Sequence, residues 1–251
     1  MGIRITDPQQ KDSVLFDTLW SGKPERLSPH KIANQFYCEQ KVEMRRVHGR
    51  IVTEEMAKGN ETHEQAAVEK EDLTREELWE RVGSGDLHTF LEEFFVTKIE
   101  EFLLVGKLDA VQFYDGKPQL VFDRKTTWHP DKLYTNQRIQ TWLYGFLFDH
   151  LGLDTSNLQI AVLRHTHDIH PELAVTLQRR VLDEYAKFGE GVHEILPGAT
   201  VHIFDYELED HLDDLHWALE YWRGERNPIP TGKEGKCRSC EYQEKCGESL
   251  V

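Results

Sequence analysis

Basic residues, cysteines and long apolar runs are all scarce in this sequence. Its 30 lysines and arginines face 45 aspartates and glutamates, for a formal net charge of −15. That balance excludes a protein coated in positive charge for nucleic acid, so any contact with DNA has to be made by a local basic groove. No run of about 18 apolar residues exists, and the first residues, MGIRITDPQQKDSV, have neither the basic start nor the apolar core of a signal peptide. We therefore expect a cytoplasmic protein with no membrane partner.

The remaining composition is that of an ordinary globular chain. Hydrophobic residues make up 39% of its 251 positions, with glycine and proline near their average frequencies. Such a chain can bury one substantial core. We expect a single domain over residues 1–251.

The four cysteines fall into a ligand-like pattern. Three lie near the end of the chain in CRSCEYQEKC, as Cys237, Cys240 and Cys246, and the fourth, Cys38, lies far upstream. In a reducing compartment such thiolates are better explained as metal ligands than as disulfides. The pattern suits an all-thiolate zinc site or a [4Fe-4S] cluster; because zinc sites usually pair two C-x2-C knuckles and one is present, the cluster is favoured and zinc stays the alternative. Either metal would clamp the two ends of the chain together.

The segments next to the cysteines are predicted to be helical. In LSPHKIANQFYCEQKVEMRRVHG, Ser28 is a candidate N-cap and Pro29 occupies the first helical position, and Cys38 is expected to lie at or just after the end of that helix. In ELEDHLDDLHWALEYWRGERNPIP, leucines recur at helical spacing until Pro228 stops the pattern. The acidic stretch at residues 69–86 predicts a charged helical insertion or a mobile flap.

Reactive side chains concentrate in the middle of the chain. EEFLLVGKLDAVQFYDGKPQLVFDRKTT contains two apolar strands joined by a turn at Asp115 and Gly116, which predicts a β-hairpin. Folding it there brings Asp109 to within about one residue of the position opposite Asp123, and Asp123 and Lys125 project from one face because strand side chains alternate. Taken alone, a D-x-K tripeptide also fits a surface ion pair. Two crowded carboxylates favour a cation between them, and oxygen ligands suit Mg2+ or Mn2+.

Two predicted helices add polar side chains to this picture. In TEEMAKGNETHEQAAVEK, Gly59 and His63 are four residues apart and share a helix face, so His63 can serve as a third metal ligand. In NQRIQTWLYGFLFDHLG, Gln140 and Tyr144 share a face in the same way. Their side chains could hold a DNA phosphate or the attacking water by hydrogen bonding, or they could simply pack.

The order of these motifs resembles that of a known superfamily. G-x3-H, G-x-L-D, D-x-K and Q-x3-Y follow one another at residues 59–63, 106–109, 123–125 and 140–144, as in the RecB-like branch of the PD-(D/E)XK nuclease superfamily. A cysteine before the first motif and C-x2-C-x5-C after the last resemble the iron-sulfur members of that branch. The opening FYCEQKVEMRRVHG, followed by EEMAKGNETHE, is similar to that of the CRISPR-associated RecB-like exonuclease family, and the likeness runs over roughly residues 30–246.

The resemblance implies an α/β fold with a PD-(D/E)XK restriction-endonuclease-like core, a central mixed sheet flanked by helices, in a single RecB-like nuclease domain. It also implies an iron-sulfur subdomain built from both chain ends, about residues 28–50 and 227–251, beside a nuclease core of about residues 51–226. The [4Fe-4S] ligands would be Cys38, Cys237, Cys240 and Cys246.

The same resemblance implies a set of catalytic residues. The ligands of the divalent metal would be His63, Asp109, Asp123 and the main-chain carbonyl of Arg124. Lys125 would orient or deprotonate the attacking water; because nearby carboxylates favour the charged lysine, we expect water positioning and charge stabilisation. Gln140 and Tyr144 would complete the site.

The implied substrate is single-stranded DNA or a duplex with a frayed end. The candidate DNA-contacting residues are Lys41, Arg45, Arg46 and Arg50. The implied role is exonucleolytic processing of DNA for CRISPR spacer acquisition in antiviral defence, with CRISPR integrase proteins as partners. Two alternatives stay open: a helicase-associated or stand-alone recombination and repair exonuclease, and a noncatalytic iron-sulfur DNA-binding subunit.

Overall fold

A computed structural model describes residues 7–19, 24–53 and 70–251 of the protein. In these ranges the strands are β1 Arg26–Leu27, β2 Leu87–Ile99, β3 Phe102–Tyr114, β4 Lys117–Thr126, β5 Gln159–His165, β6 Gly191–Leu196 and β7 Ala199–Asp205. The helices are α1 Pro8–Thr18, α2 Pro29–His48, α3 Arg75–Val82, α4 Thr135–Leu151, α5 Pro171–Phe188, α6 Leu212–Trp222 and α7 Glu234–Arg238, with 3-10 turns at Leu208–His211 and Gln243–Lys245. None of the described helices is long and apolar enough to cross a membrane.

One mixed sheet forms the centre of the molecule. The described strands follow the order β1-β3-β4-β5-β7-β6, and β2 pairs with β3 as well. The pairs β1–β3 and β4–β5 are parallel, and the other pairs are antiparallel. One core cluster packs α4 against the sheet, and a second packs α5 against the residues that point the other way. The expected α/β class, a mixed sheet flanked by helices, is confirmed.

Strand β3 divides one of its edges between two neighbours. Strand β1 pairs with Leu103 and Leu104, and β4 pairs with residues 110–114. Among the described residues, no strand pairs with residues 105–109 along that edge. The sheet therefore has a gap on one side of β3, and the candidate site lies there.

The predicted hairpin is confirmed at its turn. Tyr114 pairs with Lys117, and the two turn residues, Asp115 and Gly116, have φ angles of 49° and 75°. Both positive values are those of a tight two-residue hairpin turn, for which Asp-Gly is a preferred sequence. The turn sets the register of the first two pairs, and an irregularity between Gln112 and Phe113 then shifts it by one residue, so that Gln112 pairs with Leu120.

Helix α2 begins as expected and is interrupted at Cys38. The Ser28 side chain accepts a hydrogen bond from the backbone of Lys31, and Pro29 opens the helix. Cys38 has an extended backbone that ends the first helical segment where expected, and a second segment, which was not expected, continues to His48. The turns beyond the interruption are held by tertiary contacts, which no local sequence signal reports.

The described part of the acidic stretch, residues 70–86, contains a docked helix rather than a mobile flap. Helix α3 starts at a capping box on Thr74, and its Leu78 and Trp79 are buried in the main core. Trp79 also donates from its indole nitrogen to Asp12 of α1, 2.9 Å away. The charges of this segment therefore cover the outer side of a packed helix.

A buried ion pair joins α2 to the C-terminal segment. Glu39 is 1% exposed and accepts hydrogen bonds from both terminal nitrogens of Arg226, at 2.5 and 2.6 Å, and from the backbone of Ile229 at 2.9 Å. The Arg226 guanidinium also lies 4.0 Å from the centre of the Trp217 ring. Bidentate contacts of this kind fix orientation as well as distance. The two regions that carry the cysteines are thus attached to each other by protein contacts alone.

Replacing Glu39 by Ala should lower the free energy of unfolding by about 3–5 kcal/mol, because it leaves the Arg226 charge buried without its partner. Urea unfolding measures the change. Glu184→Ala is the matched control, since Glu184 pairs with Arg180 on the surface of α5 and should cost no more than about 0.5 kcal/mol. Equal losses of unfolding free energy in the two variants would contradict a stabilising role for the ion pair between Glu39 and Arg226.

Candidate active site and metal centres

Two buried carboxylates lie where β3 and β4 separate. The ladder between the strands closes with Ala110 opposite Phe122, and the next residue on each strand is an acid, Asp109 or Asp123. Beyond that pair, the backbone nitrogen of Arg124 donates to Oδ2 of Asp109 at 2.8 Å. Asp109 is 7% exposed and Asp123 is 1% exposed. The predicted proximity of the two carboxylates is confirmed.

Lys125 faces the same side as Asp123, as the strand alternation predicts. Its Nζ lies 2.9 Å from Oδ1 and 2.8 Å from Oδ2 of that carboxylate. Arg124, between them, points to the opposite face and donates to the side chain of Gln178 on α5, 2.5 Å away. The D-x-K tripeptide is a half-buried arrangement rather than a surface ion pair, since Lys125 is 23% exposed by its side chain.

Gln140 and Tyr144 connect helix α4 to these acids. The Gln140 Nε2 lies 3.4 Å from Oδ1 of Asp123 and 3.3 Å from the Tyr144 hydroxyl. The Tyr144 hydroxyl in turn donates to the backbone carbonyl of Lys107 at 2.9 Å. Burial, and then the negative charges of Asp123 and Asp109, raise the pKa of Tyr144 well above its usual value. Tyr144 is therefore a neutral hydrogen-bond donor and not a base.

Gly106 makes the approach of α4 possible. A Cβ at this position would lie 3.0 Å from Cδ1 of Leu147 and 3.2 Å from Cδ1 of Tyr144. Such contacts are tighter than packed side chains normally make, so any other residue here would push α4 away. The glycine of the G-x-L-D motif thus has a packing role that brings Tyr144 to β3.

Glu92 is a site residue that the sequence analysis missed. It lies on β2 opposite Asp109, is 2% exposed, and has a φ of 52°, which is rare outside glycine. Its carboxylate is 2.5 Å from the Lys107 Nζ, and its charge adds to those that raise the pKa of Tyr144. One signal was available in the sequence: in FLEEFF, residues 90–95, two apolar pairs flank two adjacent acids, which breaks the alternation of a regular strand.

His30 is the second missed residue. It opens helix α2 and hydrogen-bonds to the Gln140 side chain. Its ring is accessible to solvent but stands in a concave part of the surface. This enclosure, followed by the positive charges of Lys125, Arg45 and Lys41, lowers the pKa of His30 to about 4. The imidazole is therefore neutral at neutral pH, and no pattern in the sequence links it to the hairpin.

Two of the four candidate DNA-contacting residues take part in contacts within the protein. Lys41 pairs with Glu241 at 2.8 Å, and Arg46 bonds to Glu43 and Tyr221. The other two side chains, Arg45 and Arg50, are exposed. Of the four, Lys41 and Arg45 lie near enough to the candidate site for their charges to act on His30.

His63 and Gly59, the remaining sequence candidates, lie outside the described residues. Within the described ranges, no three His, Cys, Asp or Glu side chains lie close enough together to hold a metal ion. The described part of the site therefore supplies two carboxylates, Asp109 and Asp123, of the predicted ligand set.

The four cysteines surround one hollow. All are free thiols, and the side chains that line the hollow include Cys38, Cys237, Cys240 and Cys246. The enclosed space among the lining side chains is small, about 20 Å³, and it opens partly to solvent. Burial raises the pKa of Cys240, an effect that the charge of Lys41 partly offsets. The structure brings residues from both chain ends together here, as the cysteine pattern predicted.

Comparisons with known proteins agree with this geometry. The family model described as the PD-(D/E)XK nuclease superfamily matches residues 23–247. The chain belongs to this superfamily. The predicted superfamily is thus confirmed, while its RecB-like, CRISPR-associated branch stays a prediction.

Two curated relatives match a short segment of the chain, and one solved structure aligns with nearly all of it at low sequence identity. Two curated proteins named "Exonuclease V, mitochondrial", from Candida albicans strains WO-1 and SC5314 / ATCC MYA-2876, are each 36% identical to it over 44 residues, which is 18% of this chain and 7% of theirs. The crystal structure of SSO0001 aligns with a TM-score of 0.45 and 11% identity, over 97% of this chain and 95% of that chain.

Replacing Gly106 by Ala should lower the free energy of unfolding by about 1–3 kcal/mol, because the new methyl group overpacks the contact with Tyr144 and Leu147. Urea unfolding measures this cost. Gly85→Ala is the control, since a Cβ there would meet nothing within 4 Å. A Gly106 variant as stable as the Gly85 variant would show that α4 approaches β3 less closely than described.

Proposed function

We propose that this protein is a divalent-metal-dependent deoxyribonuclease that degrades single-stranded DNA or frayed duplex ends. The observation that carries the proposal is the convergence of Asp109, Asp123 and Lys125 where β3 and β4 separate. Membership of the PD-(D/E)XK superfamily supports hydrolysis of phosphodiesters by that constellation.

The donor set of the site fits a hard divalent cation. Asp109 and Asp123 offer carboxylate oxygens from adjacent strands, the ligands that Mg2+ and Mn2+ prefer. In the proposed site, His63 and the main-chain carbonyl of Arg124 complete the ligand set. When bound, such an ion would stabilise charge on the phosphate and assist the departing oxygen.

The protein's own side chains have separate roles in this proposal. Lys125, held by Asp123, presents a positive charge to the attacked phosphate and positions water. Gln140 fixes the orientation of Asp123 through its amide, and Tyr144 anchors Gln140 to the backbone of β3. Because both polar groups are held before substrate arrives, they need no reorganisation during the reaction.

We also propose a [4Fe-4S] cluster on Cys38, Cys237, Cys240 and Cys246. All four cysteines line one small space, which supports a shared site, and the presence of one C-x2-C knuckle rather than two favours a cluster over zinc. The cluster would define a subdomain of about residues 28–50 and 227–251 beside a core of about residues 51–226 within one domain. In this proposal the cluster has a structural role.

For the biological role we propose processing of DNA ends for CRISPR spacer acquisition, with integrase proteins as partners. Repair or recombination beside a helicase is the second candidate, and the 44-residue likeness to exonuclease V supports an exonuclease in either role. The noncatalytic alternative is disfavoured by the paired carboxylates and lysine, since a DNA-binding subunit has no need to bury them together.

Asp123→Asn should reduce Mn2+-dependent cleavage of end-labelled single-stranded DNA by at least about 100-fold, because it removes a ligand charge at the reacting phosphate. Anaerobically purified protein is assayed with and without Mn2+, and thermal melting verifies folding. Asp183→Asn, on the exposed side of α5, is the control and should cleave like wild type. Undiminished cleavage by the Asp123 variant would place the chemistry elsewhere.

Cys240→Ala should remove most of the protein-bound iron and sulfide and lower the melting temperature, while the nuclease core stays folded because Glu39 still holds Arg226. Elemental analysis and visible absorbance under anaerobic conditions measure the cluster, and far-ultraviolet circular dichroism measures the fold. Ser239→Ala, next to it, is the control and should keep the iron. Stoichiometric zinc in the wild-type protein would contradict the cluster.

A further inference from the structure

A groove leads away from the candidate active site at Tyr144. It holds about 490 Å³ between helix α1, the first turn of α2 and strands β2 and β3. Its lining residues include Phe16, His30, Lys31, Phe94, Lys107 and Tyr144. A space of this size accommodates a small ligand or one unit of a polymer.

The groove combines an apolar floor with a basic rim. Phe16, Leu19 and Val105 belong to one hydrophobic cluster beneath it. The rim carries Arg26 and Lys31, with Lys107 further along, in a protein whose net charge is −15. A nucleotide matches this surface, because its base has an apolar face and its phosphate is an anion.

Phe94 presents an aromatic face to the groove. It is 38% exposed, although its neighbours Phe95 and Val96 on β2 are fully buried. The ammonium groups of Lys70 and Lys107 lie 6.0 and 5.8 Å from the centre of its ring. Both ammonium groups also pair with carboxylates of β2, Lys70 with Glu93 and Lys107 with Glu92. A partly exposed aromatic ring next to cations is a surface on which single-stranded DNA can stack a base without sequence preference.

The sheet register fixes how far Phe94 lies from the catalytic carboxylates. Phe94 is directly opposite Lys107, and Lys107 is two residues from Asp109. Two residues along a strand span about 7 Å, about twice the roughly 3.4 Å spacing of nucleotides in a stacked strand. A base on Phe94 would therefore belong to a nucleotide within about two positions of the scissile phosphate.

We propose that this groove binds an unpaired nucleotide beside the scissile phosphate, with its base stacked on Phe94 and its phosphate held at the basic rim. The inference rests on the proposed nuclease function, and it adds where the DNA strand lies on the protein. A base paired in a duplex cannot reach the ring, so the groove selects DNA with unpaired residues at the cut. His30 stands at the junction of groove and active site, where its neutral ring can donate a hydrogen bond to phosphate.

Coupling between Phe94 and one base tests the proposal. Single-stranded oligonucleotides carry one abasic position that is moved stepwise past the cleavage site, and kcat/KM is measured with Mn2+. With wild-type protein, one abasic position within about two nucleotides of the cut should reduce kcat/KM by roughly 5- to 100-fold. Phe94→Ala should show the same loss on intact DNA and no further loss at that position, because the two changes remove one contact.

Two further variants guard against a structural explanation. Phe94→Trp keeps a stacking face and should retain the dependence on that base. Tyr114→Ala removes another exposed aromatic, 50% exposed at the far end of β3, and should cleave like wild type with its sensitivity to the abasic position intact. Melting temperatures of all variants confirm folding.

The experiment distinguishes a wrong groove proposal from a wrong nuclease proposal. Metal-dependent cleavage in which the abasic and Phe94→Ala effects multiply, or in which Phe94→Ala behaves like Tyr114→Ala, overturns the groove and leaves the nuclease standing. If no metal supports cleavage, the nuclease function fails. The same oligonucleotides are then used in a fluorescence-anisotropy binding assay. The groove proposal is tested there by whether the abasic position and Phe94→Ala weaken binding non-additively.

Discussion

The site depends on one hydrogen bond at the end of the ladder between β3 and β4. There a side-chain carboxylate, rather than a backbone carbonyl of the neighbouring strand, accepts from a backbone N–H. The backbone nitrogen of Arg124 donates to the Asp109 carboxylate. A buried backbone N–H must have a partner, so this contact satisfies Arg124 where the pairing of β3 with β4 ends. The separation of the strands opens the gap along residues 105–109, and without that gap neither Tyr144 nor the first turn of α2 could reach β3. A carboxylate held by a backbone donor is also fixed in direction before any cation or substrate arrives.

Two of the carboxylates in the gap are neutralised by lysines in ion pairs, and in each pair the acid is more deeply buried than the lysine. Glu92 and Asp123 are almost completely buried, and each is matched by a lysine on an exposed margin, Lys107 or Lys125. Buried carboxylates in a low-dielectric site would be costly if alone, and a partner with access to water reduces that cost. The same arrangement leaves the lysine side of each pair facing the solvent, where an anionic strand would approach. An acidic protein can thus attract DNA at one place while the rest of its surface repels it.

Sequence reasoning succeeded where the determining interactions are local. The hairpin followed from two apolar strands around Asp115 and Gly116, and the pairing of Gln140 with Tyr144 followed from helical spacing. It failed where the interactions come from distant parts of the chain. The continuation of α2 past Cys38 depends on Arg226, 187 residues from Glu39, and the position of His30 depends on the packing of α2 against α4. Glu92 lay within reach of local reasoning, since the alternation of β2 breaks around it, but a lone acid in a strand has no fixed meaning until its cross-strand neighbour is known.

The two chain ends are joined by interactions of two different kinds, and their order matters. Glu39 and Arg226 close the chain with hydrogen bonds inside a packed interface, whereas the cysteines surround a hollow that opens partly to solvent. Because the entropy of bringing distant segments together is lost only once, a metal that binds after the ion pair forms does not have to supply it again. In the proposed metal site, the free energy of binding would therefore be available to stabilise the local geometry of the C-terminal loop. This separates the cysteine hollow from the active site in energetic terms, since the gap between β3 and β4 is maintained by the sheet and by α4, neither of which the hollow contacts through its lining residues.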